Sequence, residues 1–395
     1  MSEKTPIRPA VEEHLRKVIL PFWEGLADIA MGGYTGYVGY DLKKKADAVK
    51  GCILHSRILW FFSTALRVLG DGSLRPFADR AYEALLRMRD KENGGMYWSM
   101  TPDFGPFDTT KHTYCQAFAV YGLSAYAMIT ENSEALVEAM KLFELIENRC
   151  RDGQGYLEAF RSDFGPESNE KLSENGVSAS RTMNTLLHVT EAYTELYRAC
   201  GDERVRSCLL EQLDIWEKRV YNPVLRRQEV FFGPGYETLI DLTSYGHDIE
   251  ASWLLDRTLD TLGDEALTAR VRPRLLDLAR RVRAEAYTEG NGTANEKERG
   301  RTDEKRVWWV QAEALLGWLN AWRHGMGGEY LDAARDQWRY ILARIWDHRD
   351  GGEWFWYVEK DGTPGRKPIA EPWKCPYHNG RMALEVIGRR EYENV

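Results

Sequence analysis

A chain of 395 residues that is 43% hydrophobic can bury a large core, and its 53 basic against 61 acidic residues, a formal net charge of −8, leave no basic face for nucleic acid or an anionic membrane. A polyanionic substrate is unexpected on the same ground. The first residues lack a basic-then-apolar signal, and no apolar run approaches the roughly eighteen residues of a membrane helix, so a cytoplasmic location without membrane partners is expected.

In chain order, Leu15, Val18, Ile19, Phe22, Leu26 and Ile29 recur at three- and four-residue steps and predict an amphipathic helix over 11–28. A Gly-aromatic stretch follows at 32–41, then helices over 53–70 and 74–90 and a second such loop, Gly94-Gly95-Met96-Tyr97-Trp98. The cycle recurs with helices over 114–130 and 132–151 and the loop Gly153-Gln154-Gly155-Tyr156. Periodicity predicts further helices over 183–200, 204–220, 247–262, 266–288, 307–325, 330–348 and 379–390, with a last Gly-aromatic loop at Gly351-Gly352-Glu353-Trp354. The first three loops lie roughly sixty residues apart, the length of two helices and their connections.

About twelve helices, each apolar along one stripe, bury those stripes best as a ring of inner helices wrapped by outer ones. The expected fold is therefore all-α: an (α/α)6 barrel with short β-like aromatic loops, one domain over 1–395. An open superhelix of the same hairpins is the alternative. Residues 296–305, alternating in charge, read as a mobile loop over the mouth. Six cysteines without a C-x-x-C pair read as buried free thiols, and a monomer is expected. The 14 tryptophans and 20 tyrosines suit a core or platforms for sugar rings.

The stretch 244–253 (SYGHDIEASW) concentrates candidate chemistry. Thr243 or Ser244 can cap the helix, and His247, Glu250 and Trp253 follow at three-residue steps, so that Glu250 can support the His247 imidazole as a base near neutral pH. His188 follows Asn184 on one helix face, and His378 lies in a Pro-bounded loop near Trp373. Arg57 sits among apolar residues, where a guanidinium needs either a structural carboxylate or a developing oxyanion. Three histidines and a glutamate make a conceivable metal set, but no two histidines stand at i, i+4, and no metal or other cofactor is expected. His14, His324 and His348 are assigned no role as surface or helix-end residues, and His55 and His112 stay undecided.

Residues 56–62 (SRILWFF), 111–118 (KHTYCQAF), Met183-Asn184-Thr185 with His188, 244–253, Val307-Trp308-Trp309 with Gln311-Ala312-Glu313, and 373–381 (WKCPYHNGR) resemble, in matching order, the motifs of the cellobiose 2-epimerases within the N-acylglucosamine 2-epimerase superfamily. The resemblance runs nearly end to end. It implies an (α/α)6 barrel and metal-independent inversion at C2 of the reducing-end sugar of a β-1,4-linked disaccharide, a small-molecule substrate. It further implies that His247 and His378 are the acid/base pair, that His188 assists at C1 and O5, that Arg57 faces the enediolate oxygens and that Glu250 supports His247. Trp309 and Trp373 match the sugar-stacking indoles, and Tyr114, Asn184 and Trp253 match positions lining the pocket. Leu186 departs from the pattern, standing where a first histidine is usual, and 290–305 match no motif. Three rivals remain: a mannose 2-epimerase or aldose–ketose isomerase, a glycoside hydrolase or lyase using carboxylates such as Asp248 and Glu371, and a non-catalytic sugar-binding or protein-interacting helical barrel.

Overall fold

The computed structural model describes residues 6–169, 171, 175–393 and 395, and its helices stop where the backbone chemistry changes. Cys52–Leu69, Met183–Cys200 and Tyr245–Leu262 each run 18 residues and end at a glycine, Gly70, Gly201 or Gly263, with φ between 64° and 65°. Only glycine adopts that left-handed conformation freely, and its N–H returns to a carbonyl four residues back. Thr113–Thr130, also 18 residues, ends instead at Glu131 with φ 53°. Glu131→Gly is expected to raise stability by about 0.5–1 kcal/mol, read as a higher midpoint in denaturant unfolding.

Among the described residues twelve helical segments follow one another. They are α1 (7–24, with a π turn over Leu15–Ile19), α2 (Cys52–Leu69), α3 (Arg75–Arg87), α4 (Thr113–Thr130), α5 (Ser133–Arg149), α6 (Met183–Cys200), α7 (Glu203–Ile215), α8 (Tyr245–Leu262), α9 (Glu265–Glu285), α10 (Trp308–Arg323), α11 (Gly328–Tyr340) and α12 (His378–Gly388). Like α1, α7 and α11 run on into a π turn, at Trp216–Val220 and Ile341–Ile345. The even-numbered helices pack in sequence, α2 on α4 through α10 on α12, and α12 returns to α2. That last contact closes the ring and rules out the open superhelix. The odd-numbered helices lie outside, α1 on α12 and each of the others on the even-numbered helix before it. An inner helix is apolar nearly all round, so residues 52–65 of α2 are all buried, whereas α3 buries one stripe through Ala78, Ala81, Tyr82, Ala84 and Leu85.

Strands of two or three residues lead into most inner helices and lace the rim together. Lys50–Gly51 pairs with Ser99–Met100, Lys111–His112 with Ala159–Phe160, Arg181–Thr182 with Phe231–Phe232, and Arg306–Val307 with Tyr357–Val358. The Gly-aromatic turns are fixed by a repeated device. Asp28, Asp90 and Asp152 accept backbone N–H groups of their own turns and take a cation from the strand of the next inner helix. Lys50 reaches Asp28 at 2.7 Å, Lys111 reaches Asp90 at 3.0 Å, and Arg181 pairs with Asp152.

Four expectations are corrected. The first helix starts at Ile7 and stops at Glu24, because the Asp28 carboxylate caps Ala30 and Met31 in a turn that leaves Ile29 77% exposed. Residues 296–305 are not an irregular loop: Glu296–Glu298 and Arg301–Asp303 form a hairpin paired to Leu242–Ser244, the strand entering α8. One helix, Cys52–Leu69, is long and apolar enough by composition to cross a membrane, but 78% of it is buried inside the barrel. Of the six free cysteines, Cys200 and Cys208 are only half-buried.

Candidate active site

Most of the candidate site side chains lie in the first six residues of an inner helix. Arg57 is the sixth residue of α2, Tyr114 the second of α4, Asn184 and His188 the second and sixth of α6, His247 the third of α8, Trp309 the second of α10 and His378 the first of α12. Six helix N-termini therefore gather at one end of the ring and favour negative charge there.

Arg57 is 2% exposed, and one nitrogen donates to the Tyr114 hydroxyl at 2.7 Å while another donates to the Trp373 carbonyl at 3.3 Å. Its guanidinium lies 4.1 Å from the Phe118 ring centre and 4.3 Å from that of Tyr377. Burial opposes its charge, yet Tyr114, Cys375 and Tyr377 more than offset this and keep it protonated. Among the described residues it meets no carboxylate; its partners are the Tyr114 hydroxyl, the Trp373 carbonyl and two aromatic rings.

His378 holds Glu313 at 2.7 Å through Nδ1, and its ring lies 5.4 Å from Trp309. A carboxylate on Nδ1 favours the tautomer with Nε2 unprotonated, a base. His247 lies 4.8 Å from the same indole, and its Nδ1 is 2.7 Å from the Ser244 hydroxyl. A hydroxyl donates or accepts, so it serves either tautomer. Burial lowers the pKa of both imidazoles, aided by His188 at His247 and by Arg381 and Arg57 at His378. Both are neutral near pH 7. Gly246 gives Trp309 its place, because a Cβ there would collide with the indole.

Three site expectations change. Glu250 does not support His247: its carboxylate accepts from Arg381 and stands 3.9 Å from Nδ1 of His378, while Ser244, instead of capping α8, bonds His247. The H-x-x-E pair that does close is His188 with Glu191, at 3.0 Å. Trp253 is 1% exposed and donates to Glu313 at 2.9 Å, so it acts beneath the pocket rather than lining it. Trp373 and Asn184 are partly exposed, and the Trp98 ring lies 5.5 Å from that of Trp373.

Sequence reasoning left Glu191, Glu313, Tyr377 and Arg381 without roles. Arg381, fully buried, joins the two histidine–glutamate pairs: Nη1 donates to Glu191 at 2.5 Å, and Nη2 to Glu250 and, at 2.7 Å, to Glu313. Tyr377 donates to Glu191 as well. Burial raises Glu313 and Glu250 to about 7, with Arg381 opposing, so this pair changes charge near neutrality. Ligand atoms of Glu250, Glu313 and His378 lie within 4.8 Å of one another, but the Arg381 guanidinium already holds both carboxylates and a metal ion would meet its charge.

Two other histidines are structural. His55 accepts the Tyr34 N–H at 3.1 Å, and His14, 5% exposed rather than on the surface, accepts from Trp354 at 2.9 Å. Asp248, one carboxylate of the glycosidase alternative, is spent on the Gln228 backbone at 2.9 Å.

Comparison with known proteins gives the family. The family described as N-acylglucosamine 2-epimerase matches residues 33–379. A cellobiose 2-epimerase of Eubacterium cellulosolvens is 47% identical over 95% of this chain and 97% of its own. Among solved structures, a sugar epimerase from a ruminal bacterium superposes with a TM-score of 0.96 at 44% identity, covering 97% of this chain and 99% of that one. The cellobiose 2-epimerase of Bacillus thermoamylovorans superposes at 0.93 with 42% identity, covering 96% and 98%.

Proposed function

The chain belongs to the N-acylglucosamine 2-epimerase family, and from that premise we propose that it inverts C2 of the reducing-end sugar of β-1,4-linked disaccharides such as cellobiose, turning glucose into mannose. The observation that carries this reading is the pair of neutral imidazoles, His247 on α8 and His378 on α12, both in ring contact with the α10 indole Trp309 at 4.8 and 5.4 Å. Partly exposed Trp309, Trp373 and Trp98 offer more aromatic wall than one pyranose needs, which supports a two-ring substrate.

The C2 hydrogen is acidic only when C1 is an open aldehyde. Ring opening comes first, with a proton delivered to O5 and one taken from O1; His188, oriented by Glu191, suits that exchange. One of His247 and His378 then takes the C2 proton. Charge builds on O1 and O2, where Arg57, Tyr114 and the gathered helix termini stabilise it. The other imidazole returns a proton to the opposite face of the planar enediolate, and the ring recloses. Glu313 stabilises the imidazolium at His378, and Arg381 fixes that carboxylate together with the one orienting His188.

Because burial places Glu313 and Glu250 near 7, acid returns protons to them and removes the negative charge that His378 needs as it becomes cationic. Turnover is expected to fall about tenfold per pH unit on the acid side, with a midpoint near 7, in a rate profile on saturating cellobiose. The reading is tested by comparing kcat/KM on cellobiose and on free mannose: a ratio well above one is expected, and turnover of mannose alone would contradict the disaccharide assignment.

A further inference from the structure

Five of the inner helices are entered by a strand paired on the rim, but among the described residues no strand leads into α12. The last sheet-like bonds before it are those of the Ile369 and Ala370 N–H groups to the Val38 carbonyl, at 2.9 and 3.3 Å. The stretch that follows, 371–377, nevertheless carries groups of the site. The Trp373 carbonyl accepts from Arg57 at 3.3 Å, the Cys375 sulfur lies 3.8 Å from the same guanidinium nitrogen, and the stretch ends at His378. Without ladder bonds, something else must hold that backbone in place.

Glu353 and Lys374, 0% and 1% exposed, form an ion pair at 2.7 Å. The Lys374 ammonium also donates to the Ile369 carbonyl at 2.8 Å, which ties the stretch to its own beginning. The carboxylate of Glu353 reaches both sides of His378. Oε2 accepts from Lys374, four residues before the histidine, and Oε1 accepts from the Asn379 side chain, one residue after it. Oε2 also accepts the Trp354 N–H at 2.6 Å, which fixes the carboxylate to the last Gly-aromatic turn. Asp28, Asp90 and Asp152 hold Lys50, Lys111 and Arg181 in the same manner, but those cations stand on strands that a ladder already holds. At α12 the ion pair takes the place of the ladder. Desolvation leaves a buried ion pair little net stability over an apolar pair of the same shape, whereas its charge-assisted bonds are geometrically strict.

We propose that Glu353 is a positioning residue for the reaction: by holding Lys374 and Asn379 it fixes the backbone of 373–378, and with it both the carbonyl that orients Arg57 and the imidazole of His378. The proposal rests on the roles given above to Arg57 and His378.

The double variant Glu353→Gln/Lys374→Met tests it, because it keeps the side-chain shapes and removes both charges together. Either change alone leaves a buried charge unpaired, so each single variant should melt below the double one. The double variant is expected to melt within a few degrees of the unaltered protein while its kcat on cellobiose falls about tenfold or more, since a displacement of roughly 1 Å at a reacting group is costly in rate. Its crystal structure should show 373–377 shifted and the Arg57 contact to the Trp373 carbonyl, 3.3 Å in the unaltered protein, opened, a readout independent of which sugar is turned over. An unmoved stretch, or a loss of kcat no larger than the loss of folded protein, overturns the anchor itself. A shifted stretch with kcat intact overturns the proposal from the other side, by removing the placement of Arg57 and His378 from the reaction.

Discussion

Replacing His378 with asparagine is expected to lower epimerisation of cellobiose by about 10²–10⁴-fold, and His247→Asn by a similar factor, the range that general acid–base catalysis supplies. Asparagine keeps the polarity and much of the volume but cannot carry a proton between substrate and solvent. Both imidazoles are neutral near pH 7, yet they are held differently, His378 by the Glu313 carboxylate at 2.7 Å and His247 by the Ser244 hydroxyl at 2.7 Å. They occupy separate helices, and in the proposed mechanism each serves one face of the enediolate. A sharper expectation follows from that division. Any residual exchange of the C2 hydrogen with solvent deuterium should be confined to one epimer in each variant, the glucose form in one and the mannose form in the other. Rapid interconversion by either variant would remove that histidine from the mechanism.

Arg57→Met is expected to lower kcat by about 10²–10³-fold with little change in KM, roughly 3–4 kcal/mol of transition-state stabilisation. Arg57 is a buried cation without a carboxylate partner, and negative charge appears beside it only once the C2 proton has left. Its stabilisation is therefore felt in the transition state and not in the bound sugar. Arg57→Lys should recover only part of the rate, because a point charge cannot keep both the Tyr114 contact at 2.7 Å and the Trp373 carbonyl contact at 3.3 Å. Steady-state kinetics on cellobiose reads both variants; a rise in KM with kcat intact would make Arg57 a substrate-binding group instead.

Helix positions were legible in the chain because apolar stripes recur at helical spacing and three inner helices stop at a left-handed glycine. The ring was legible because Gly-aromatic turns return every two helices. Pairing of the rim strands was not, since a strand of two residues carries no periodicity, and the charged hairpin at 296–303 reads locally like a loop. Within the site, His247, His378, His188 and Arg57 stood out by their company. Their supporting groups did not: Glu313 reaches His378 across 65 positions and Arg381 reaches Glu250 across 131, distances that only the closed ring brings together. Local spacing also misled. His247-x-x-Glu250 and His188-x-x-Glu191 are the same pattern, yet only the second pair touches, because Glu250 turns inward to the Arg381 guanidinium.

The most direct test is proton NMR of the chelator-treated protein with cellobiose in deuterated water, following C2 of the reducing sugar. Deuterium entering C2 together with a mannose-type reducing end is the predicted result. Inversion without deuterium uptake, or cleavage to free glucose, would contradict proton transfer through the two histidines.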